Sequence, residues 1–161
     1  MNEQSDRSVD WIEETVTRNE DRLFRTALAI LGGKADAEDI VQDVFVTLVE
    51  KQPHFVSPEH EAAWLMRVTV NACKSRLRSY WWKKSEPLLD DYPAQTDEQL
   101  DLMETVLSLP PKYRTVIHLY YYEGYSTHEI AALTDQKGST VREQLTRARR
   151  MLRKFLEGEQ T

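Results

Sequence analysis

The sequence of 161 residues is poor in cysteine and glycine and has no long apolar run, and each shortage excludes a class of structure. Its single cysteine, Cys73, cannot form an internal disulfide, and its four histidines are too scattered for any Cys/His grouping with metal-ligand spacing. The N-terminus lacks a basic start followed by an apolar stretch, and the apolar residues 27–31 are too few to span a bilayer. We therefore expect a cytoplasmic protein with no metal, no cofactor and no membrane insertion.

The small number of glycines also bears on the fold. Five glycines, together with long stretches that lack both glycine and proline, favour helices over strands. The length allows one ordinary domain or two small ones. The sequence therefore predicts an all-α protein.

Acidic residues are missing from one segment altogether. Residues 67–84 contain six Lys or Arg and no Asp or Glu, a net charge of +6, although the whole chain carries −6. The flanking residues 1–66 and 85–111 carry −8 and −7, and residues 112–161 carry +3. Such segregation says more about partners than the total charge does. Two interpretations of the cationic residues 67–84 are open: a solvated helix face and a surface that binds nucleic acid.

Three long helices are predicted in the first half. Apolar residues at helical intervals place the first at residues 9–31, before Gly32 and Gly33 stop it. The second begins at a cap formed by Asp36, and apolar residues then recur at i, i+3, i+4, i+7, i+8 and i+11. A loop with two prolines separates it from a third helix, which starts near Glu61.

The second and third helices each have a polar side of one sign. The second has an acidic face, formed by Glu38, Asp39, Gln42 and Asp43. On the third, the spacing predicts a core face at Leu65, Val68, Ala72 and Leu77. Its other side is a stripe at i, i+4, i+7 and i+11, which we call the cationic stripe: Arg67, Asn71, Lys74 and Arg78.

The second half is predicted to begin with a linker at residues 84–96, which hold two prolines, several acids and no helical period. A short helix at residues 97–108 follows. Pro110 and Pro111 then suit a helix start, and Gly124 suits its end.

A helix-turn-helix is predicted beyond Gly124. Ser126 and Glu129 form an S-x-x-E capping box at the start of a short helix. After the break TDQKGS, a last helix has one apolar face and is polar and cationic at its N-terminal end. This arrangement is typical of a recognition helix that enters the major groove of DNA.

Both halves resemble one family, the bacterial extracytoplasmic-function sigma factors, which are small promoter-recognition subunits of RNA polymerase of the sigma-70 type. In the first half the resemblance rests on DAEDIVQDVF at residues 36–45 and AAWLMRVTVNACKSRLR at residues 62–78. In the second half it rests on LPPKYRTVIHLYYYEGYSTHEIA at residues 109–131 and TVREQLTRARRML at residues 140–152. The resemblance covers nearly all of the chain.

The resemblance implies two small helical domains. Residues 1–83 would be sigma region 2, a helical bundle that binds core polymerase and the promoter -10 element, and residues 97–161 would be region 4, whose helix-turn-helix binds the -35 element. Residues 84–96 would be an acidic linker, which either mimics nucleic-acid charge in the polymerase cleft or is a solvated tether. The implied polymerase-binding residues are Asp36, Glu38, Asp39, Gln42 and Asp43, for which the alternative is a solvated helix face.

The resemblance also implies two sets of DNA-binding residues. Cations would hold phosphates of the -10 element while amide and aromatic side chains meet opened bases. Trp81 and Trp82 are candidates for stacking, or one of them plugs the helix end against the core. The implied -10 set is Arg67, Asn71, Lys74, Arg78, Trp81, Trp82, His54 and Phe55. The implied -35 set is Ser139, Thr140, Arg142, Glu143, Thr146 and Arg147.

The chain departs from the family pattern at two places. Asp135 and Gln136 stand where the family has glycine and an apolar residue, and Asp tolerates a left-handed backbone, so we expect the turn to form but to be looser. Glu143 and Gln144 stand where a small residue and arginine are frequent, which adds an acid and removes a cation.

The function implied is that of a dissociable sigma subunit that catalyses nothing itself and has no small-molecule substrate. Its expected partners are core RNA polymerase, promoter DNA and a cognate anti-sigma factor. The alternative is a stand-alone helix-turn-helix regulator. A metal-dependent nuclease built on Asp36, Asp39 and Asp43 is a third hypothesis, and it lacks a second carboxylate cluster to complete the site.

Overall fold

The structure, a computed structural model, describes the backbone of residues 3–83 and 105–158 and the side chains of residues 9–78 and 105–158. Within these ranges the chain is helical and has no strand, which confirms the predicted all-α fold. The helices are α1 (Glu3–Leu31), α2 (Lys34–Lys51), α3 (Pro58–Lys83), α4 (Pro111–Ile117), which continues into a π-helical turn (His118–Tyr122), α5 (Thr127–Thr134) and α6 (Gly138–Gly158).

Some predicted elements fall outside these ranges. The linker at residues 84–96 lies outside the described residues, and so does most of the helix predicted at residues 97–108, of which residues 105–107 are described and helical. Among the described helices, none combines the length and the apolar character needed to cross a membrane.

Helix boundaries in the first half follow the predicted signals with one error. Gly32, with φ 84°, ends α1 as expected, although α1 begins six residues before the predicted start. The prediction that Asp36 caps α2 is wrong, because Gly33 is the N-cap and Asp36 lies inside the first turn. α3 begins at Pro58 instead of near Glu61, since proline suits the first turn of a helix.

α1, α2 and α3 pack around a shared core, but the predicted core face of α3 is only partly correct. Leu65 is fully buried, whereas Val68, Ala72 and Leu77 are half-buried at the edge of the core. The reason is that α3 has neighbours on two sides, with α1 and α2 on one and α5 on the other. The side chains of α3 that fill the core are Leu65, Met66, Val70 and Cys73.

The second half contains the predicted helix-turn-helix. The capping box is present, because the Glu129 backbone N–H donates to Ser126 Oγ at 3.1 Å and the Ser126 N–H donates to Glu129 Oε1 at 3.0 Å. α5 ends at Asp135, whose φ of 54° and ψ of 51° confirm that aspartate takes the left-handed position. Residues 135–137 form the turn before α6.

The two halves pack against each other, so that one hydrophobic cluster runs through both. α1 contacts α4 and the π-helical turn, and α3 contacts α5. The buried guanidinium of Arg114 donates to the carbonyl of Ile30 at 2.7 Å and to that of Leu107 at 3.1 Å. Because Ile30 belongs to the last turn of α1, Arg114 satisfies a carbonyl that has no partner within that helix. This packing determines which polar surfaces of α3 remain open.

Candidate functional site

The acidic face of α2 is open to solvent and is organised by an arginine that sequence analysis had given no role. Arg76 of α3 lies 3.1 Å from Asp36 Oδ1, 3.5 Å from Asp39 Oδ2 and 3.8 Å from Asp43 Oδ2. The side chains of Asp39 and Asp43 are 65% and 68% exposed, whereas that of Asp36 is 17% exposed. One guanidinium therefore contacts three carboxylates, and two of these carboxylates remain exposed to solvent. No local pattern signals this contact, because Arg76 is 40 residues from Asp36.

The rest of the acidic face is also accessible. Glu38 and Gln42 are exposed, and Glu38 lies 4.0 Å from Lys34 in the same helix. Among the described residues, no cluster of His, Cys, Asp or Glu has the arrangement of a metal site. The three aspartates of the nuclease hypothesis are instead paired with the guanidinium of Arg76.

The cationic stripe lies on the side of α3 that faces α5 and the turn after it. Arg67, Asn71 and Arg78 are exposed, while Lys74 is half-buried and its Nζ donates to the carbonyl of Thr134. Arg78 Nη2 also lies 3.4 Å from Ser75 Oγ. The four predicted residues thus share one surface, but that surface is partly covered by the second half of the chain.

Two clefts remain between the stripe and the second half. The larger, of about 480 Å³, is lined on the α3 side by Asn71, Lys74 and Arg78, and on the other side by residues of α4, α5 and the turn, including Lys112 and Asp135. The smaller, of about 340 Å³, is lined by Arg67, Trp64, Tyr125, Glu129 and Leu133 among others. The cationic stripe is therefore divided between two pockets instead of lining one open groove.

His54 and Phe55 line a separate cleft of about 360 Å³ at the start of α3. His54 is exposed, but Phe55 is half-buried, with its ring centroid 6.2 Å from that of Trp11 and 5.7 Å from that of Trp64. Phe55 thus helps to hold the loop in place. The side chains of Trp81 and Trp82 lie outside the described residues.

A buried acid supports this loop from beneath. Glu61 accepts hydrogen bonds from Arg18 Nη2 at 3.0 Å and from Asn19 Nδ2 at 2.9 Å. Only 8% of its side chain is exposed, so these two residues of α1 supply the partners that a buried carboxylate needs. The contact fixes the first turns of α3 on α1.

The helix α6 presents the predicted -35 residues to solvent. Ser139, Arg142, Glu143, Thr146 and Arg147 are exposed and Thr140 is half-buried, while Val141, Leu145 and Ala148 on the opposite face are buried. The carboxylate of Glu143 lies 2.6 Å from Arg147 within the helix. The extra acid is therefore paired with a neighbouring cation in the unbound chain.

The residues that depart from the family pattern at the turn bind each other. Gln144 Nε2 donates to Gln136 Oε1 at 2.7 Å, and Gln136 Nε2 donates to Thr134 Oγ1 at 2.8 Å. This chain of bonds joins the end of α5, the turn and α6. These bonds therefore link α5 to α6 across the turn that the sequence predicts to be looser than in the family.

A buried polar cluster joins α1 to the segment after α4, and sequence analysis missed it. Glu123, whose side chain is 4% exposed, lies 2.9 Å from Arg22 Nε, 3.8 Å from Arg25 Nη2 and 3.1 Å from His118 Nε2. Arg22 also donates to the hydroxyl of Tyr125, and His118 Nε2 lies 3.0 Å from Thr26 Oγ1. We call these residues the interdomain cluster: Arg22, Arg25, Thr26, His118, Glu123 and Tyr125.

The electrostatics of the interdomain cluster keep Glu123 ionised. Burial by itself disfavours the charged form, but the hydrogen bonds and charges of His118 and Arg22 outweigh it and lower the pKa of Glu123. Burial raises the pKa of Tyr125, so its hydroxyl stays neutral beside Arg22. Glu123 is a buried anion held by two arginines and a histidine. Removing one of these partners while the carboxylate stays buried would therefore lower the stability of the fold.

Comparison with known proteins identifies the class. The family models for sigma-70 region 2 and sigma-70 region 4 match residues 15–83 and residues 99–152. The first match contains the acidic face and the cationic stripe, and the second contains the helix-turn-helix. The chain belongs to the sigma-70 family.

The relatives narrow the assignment. The chain is 31% identical, over 90% of its length, to the RNA polymerase sigma-E factor of Streptomyces avermitilis, of which it covers 84%. It is 32% identical, over 89% of its length, to the ECF RNA polymerase sigma factor SigE of Mycolicibacterium smegmatis, and it spans 61% of that protein. It is 29% identical to SigW of Bacillus subtilis, with 91% of this chain and 89% of SigW covered. Within the sigma-70 family, the chain is an extracytoplasmic-function sigma factor.

Two solved structures share the fold. The sigma factor RpoE of Bartonella quintana, in complex with the anti-sigma factor NepR, matches with a TM-score of 0.75 at 24% identity over 90% of this chain and 96% of that one. CnrH, in complex with the cytosolic domain of CnrY, matches with a TM-score of 0.66 at 25% identity over 91% of this chain and 88% of that one. Both matches include the two helical halves.

Proposed function

We propose that this sigma factor directs core RNA polymerase to a two-part promoter, with residues 1–83 binding polymerase and the -10 element and residues 97–161 binding the -35 element. Residues 84–96 would link the two domains. The chain acts as a specificity subunit inside the cell and catalyses no reaction itself. The observation that carries the proposal is the match of both halves, in order, to sigma regions 2 and 4.

The acidic face of α2 is proposed to dock on polymerase. Its exposed side chains are Glu38, Asp39, Gln42 and Asp43, and Arg76 positions two of them from the side. Asp36 would support the surface from below, because it is half-buried and bound to Arg76. Charged surfaces of this kind contribute specificity and association rate more than raw affinity.

The cationic stripe is proposed to bind the -10 element. Its cations would neutralise phosphates, and Asn71, with His54, Phe55, Trp81 and Trp82 as further candidates, would meet the bases of the opened strand. The absence of any carboxylate at residues 67–84 supports this role, because a solvated helix face has no need to exclude acids over eighteen residues.

The N-terminal turns of α6 are proposed to read the -35 element in the major groove. Arg142 and Arg147 are exposed and suited to guanine, and Glu143 can accept a hydrogen bond from cytosine once it leaves Arg147. The remaining members of the set are Ser139, Thr140 and Thr146, which lie on the same helix.

An anti-sigma factor is a further proposed partner. The two structural neighbours were both solved in complexes, one with an anti-sigma factor and the other with the cytosolic domain of CnrY. A protein that occupies the surfaces of both domains would compete with polymerase and DNA. The comparisons do not favour the alternative of a stand-alone regulator.

Run-off transcription tests the proposal. The purified chain is added to core polymerase with a library of promoter sequences, and transcripts are sequenced to obtain the -10 and -35 preferences together. We expect specific transcripts only when both proteins are present, and weak binding of the free chain to duplex DNA. Tight duplex binding without polymerase association would contradict the proposal and support the stand-alone regulator.

A further inference from the structure

The larger of the two clefts beside the cationic stripe, of about 480 Å³, gathers positive charge from two separate parts of the chain. Lys74 and Arg78 line it from α3, and Lys112 lines it from the first turn of α4. Among the described residues that line this cleft, Asp135 is the single acid. The cleft therefore carries a net positive charge in a chain whose total charge is −6.

The three cations of this cleft differ from other arginines of the chain in their partners. Arg76 and Arg147 lie 3.1 Å and 2.6 Å from carboxylate oxygens. Within the described parts of the chain, Lys74, Arg78 and Lys112 form no ion pair, and their contacts are with a carbonyl, a hydroxyl and an aromatic ring. Cations that line a concave surface focus a positive potential into it. The cleft therefore favours an anion.

The size and the walls of the cleft indicate which kind of anion suits it. Its volume lies in the range of small-molecule sites, which is roughly 300–1,000 Å³. Ile30, Leu77 and Pro111 give it an apolar wall. An inorganic anion would leave that wall in contact with water, whereas a larger ligand would cover it. The lining therefore suits a compact ligand that joins several negative charges to an apolar body.

Asn71 brings an amide group to the same cleft. Among the described residues, two side-chain amides line the cleft, those of Asn71 and Gln136. Gln136 already donates to Thr134 Oγ1 at 2.8 Å and accepts from Gln144 at 2.7 Å. The amide of Asn71 is exposed and makes no hydrogen bond to any residue that the structure describes. Such an amide can bond the edge of an adenine base through a donor and an acceptor together.

We propose that this cleft binds a free nucleoside di- or triphosphate. Arg78, Lys112 and Lys74 hold the phosphates, and Lys74 keeps two N–H donors for them while a third binds the carbonyl of Thr134. The base lies against the apolar wall, and Asn71 bonds its edge. Three of these residues belong to the cationic stripe, but the site is a property of the free chain and rests on no contact with DNA.

Isothermal titration calorimetry on the full chain tests the site. The chain is titrated with ADP and ATP in the presence of EDTA, so that the phosphates meet the protein without a metal ion. Adenosine and pyrophosphate are titrated separately, because each carries one part of the ligand. We expect ATP to bind about tenfold more tightly than either part, since the base and the phosphates contact different walls of the cleft.

Lys112→Ala is the main variant, because Lys112 is exposed and belongs to none of the proposed polymerase or DNA sets. It should weaken the binding of ATP about tenfold through the loss of a charged hydrogen bond, and leave adenosine unchanged. Asn71→Ala should weaken ATP and leave pyrophosphate unchanged. The matched control is Lys137→Ala, which removes the same charge from an exposed position in the turn, outside the cleft. Thermal unfolding verifies that each variant folds.

The site is refuted if neither ADP nor ATP binds to the wild type. Pyrophosphate that binds as tightly as ATP would refute the nucleoside part of the proposal and leave a cleft that holds an anion only. Equal weakening by Lys112→Ala and Lys137→Ala would show attraction by the general charge of this half, which also contradicts a built site. None of these titrations contains polymerase or promoter DNA. A failure of ATP to bind therefore does not affect the proposed function, and a failure of run-off transcription does not affect the nucleotide site.

Discussion

The acidic face of α2 and the cationic stripe of α3 are both recognisable from residue type and spacing, yet the structure treats them differently. The acidic face is open, and Arg76 holds its carboxylates in position. The stripe is turned towards α5, and Lys74 is bonded to the carbonyl of Thr134. The difference shows that charge pattern identifies a polar surface, whereas tertiary packing decides how much of that surface is exposed.

The two surfaces have separate proposed roles, which mutations can distinguish. A substitution on the open face should act on the first encounter with polymerase. One on the covered stripe should act later, when promoter DNA is engaged. Arg76 of α3 contacts the aspartates of α2. Substituting it should therefore change how the carboxylates of the open face are arranged, but should leave all of them in place.

The largest effect is expected from Arg67→Ala, Lys74→Ala and Arg78→Ala combined. If these three cations bind phosphates as proposed, removing them should reduce promoter opening by about 100-fold and lower the salt slope of single-strand binding by about 2, since each contact contributes about 0.7. Permanganate footprinting measures opening, and fluorescence anisotropy measures the slope. Affinity for core polymerase should change less than threefold.

The control for this triple variant is Arg150→Ala, an exposed cation on α6 outside both proposed DNA-binding sets. It should leave opening near the wild-type level. Equal loss of polymerase binding and promoter opening in the triple variant would show that the stripe and the acidic face do not have separate roles.

The reverse pattern is expected for Asp39→Ala combined with Asp43→Ala. Loss of two exposed carboxylates should weaken binding to core polymerase by about tenfold, or about 1.4 kcal/mol, chiefly through slower association. Surface plasmon resonance at two salt concentrations measures this effect. Glu50→Ala, an exposed acid near the end of α2, is the matched control.

A smaller effect is expected from Arg76→Ala. Without the guanidinium, Asp36, Asp39 and Asp43 repel one another, and the free energy of unfolding should fall by about 1 kcal/mol, since two of the three carboxylates are largely exposed. Urea denaturation measures the fall. Polymerase affinity should drop only a few-fold. A variant as stable as the wild type would show that the contacts of Arg76 contribute nothing measurable.

Features that depend on neighbouring residues were predictable from the sequence. The capping box of Ser126 and Glu129, the stop at Gly32 and the left-handed Asp135 follow from backbone and side-chain chemistry within a few positions. The all-α fold and the exposed faces of α2 and α6 follow from helical periodicity. The cap assigned to Asp36 was wrong because Gly33, three residues earlier, ends the loop and starts the helix.

Features that depend on distant partners were not predictable. Nothing near Arg76 indicates a pairing with an acid 40 residues away, and nothing near Glu123 indicates Arg22, which is 101 residues away. The core face of α3 was shifted for the same reason, because α5 packs on a side of the helix that periodicity assigned to solvent or DNA. The sequence therefore predicts which polar residues share a helix face, but not how exposed each of them is.

Replacing Ser126 with alanine should have a modest effect confined to the second half. The change removes the acceptor for the Glu129 N–H and should lower the free energy of unfolding by about 1 kcal/mol. Thermal unfolding measures it. Ser139→Ala, at an exposed position in the first turn of α6, serves as the comparison. Equal effects of the two substitutions would show that the capping box does not stabilise α5.

The smallest effect is expected at Cys73, which lies on the buried side of α3 beneath both surfaces. Burial raises the pKa of its thiol to about 12, although the charge of Arg76 acts in the opposite direction. Because an unfolded thiol ionises near pH 8.5, Cys73 should contribute no pH dependence to stability below that value and should reduce stability as the pH rises towards 12. At pH 8 a disulfide reagent should modify it only at the rate of unfolding. The triple variant of the stripe and the Asp39→Ala, Asp43→Ala variant should leave that rate nearly unchanged, and rapid modification in either of them would mean that the substitutions had opened the core instead of altering a surface.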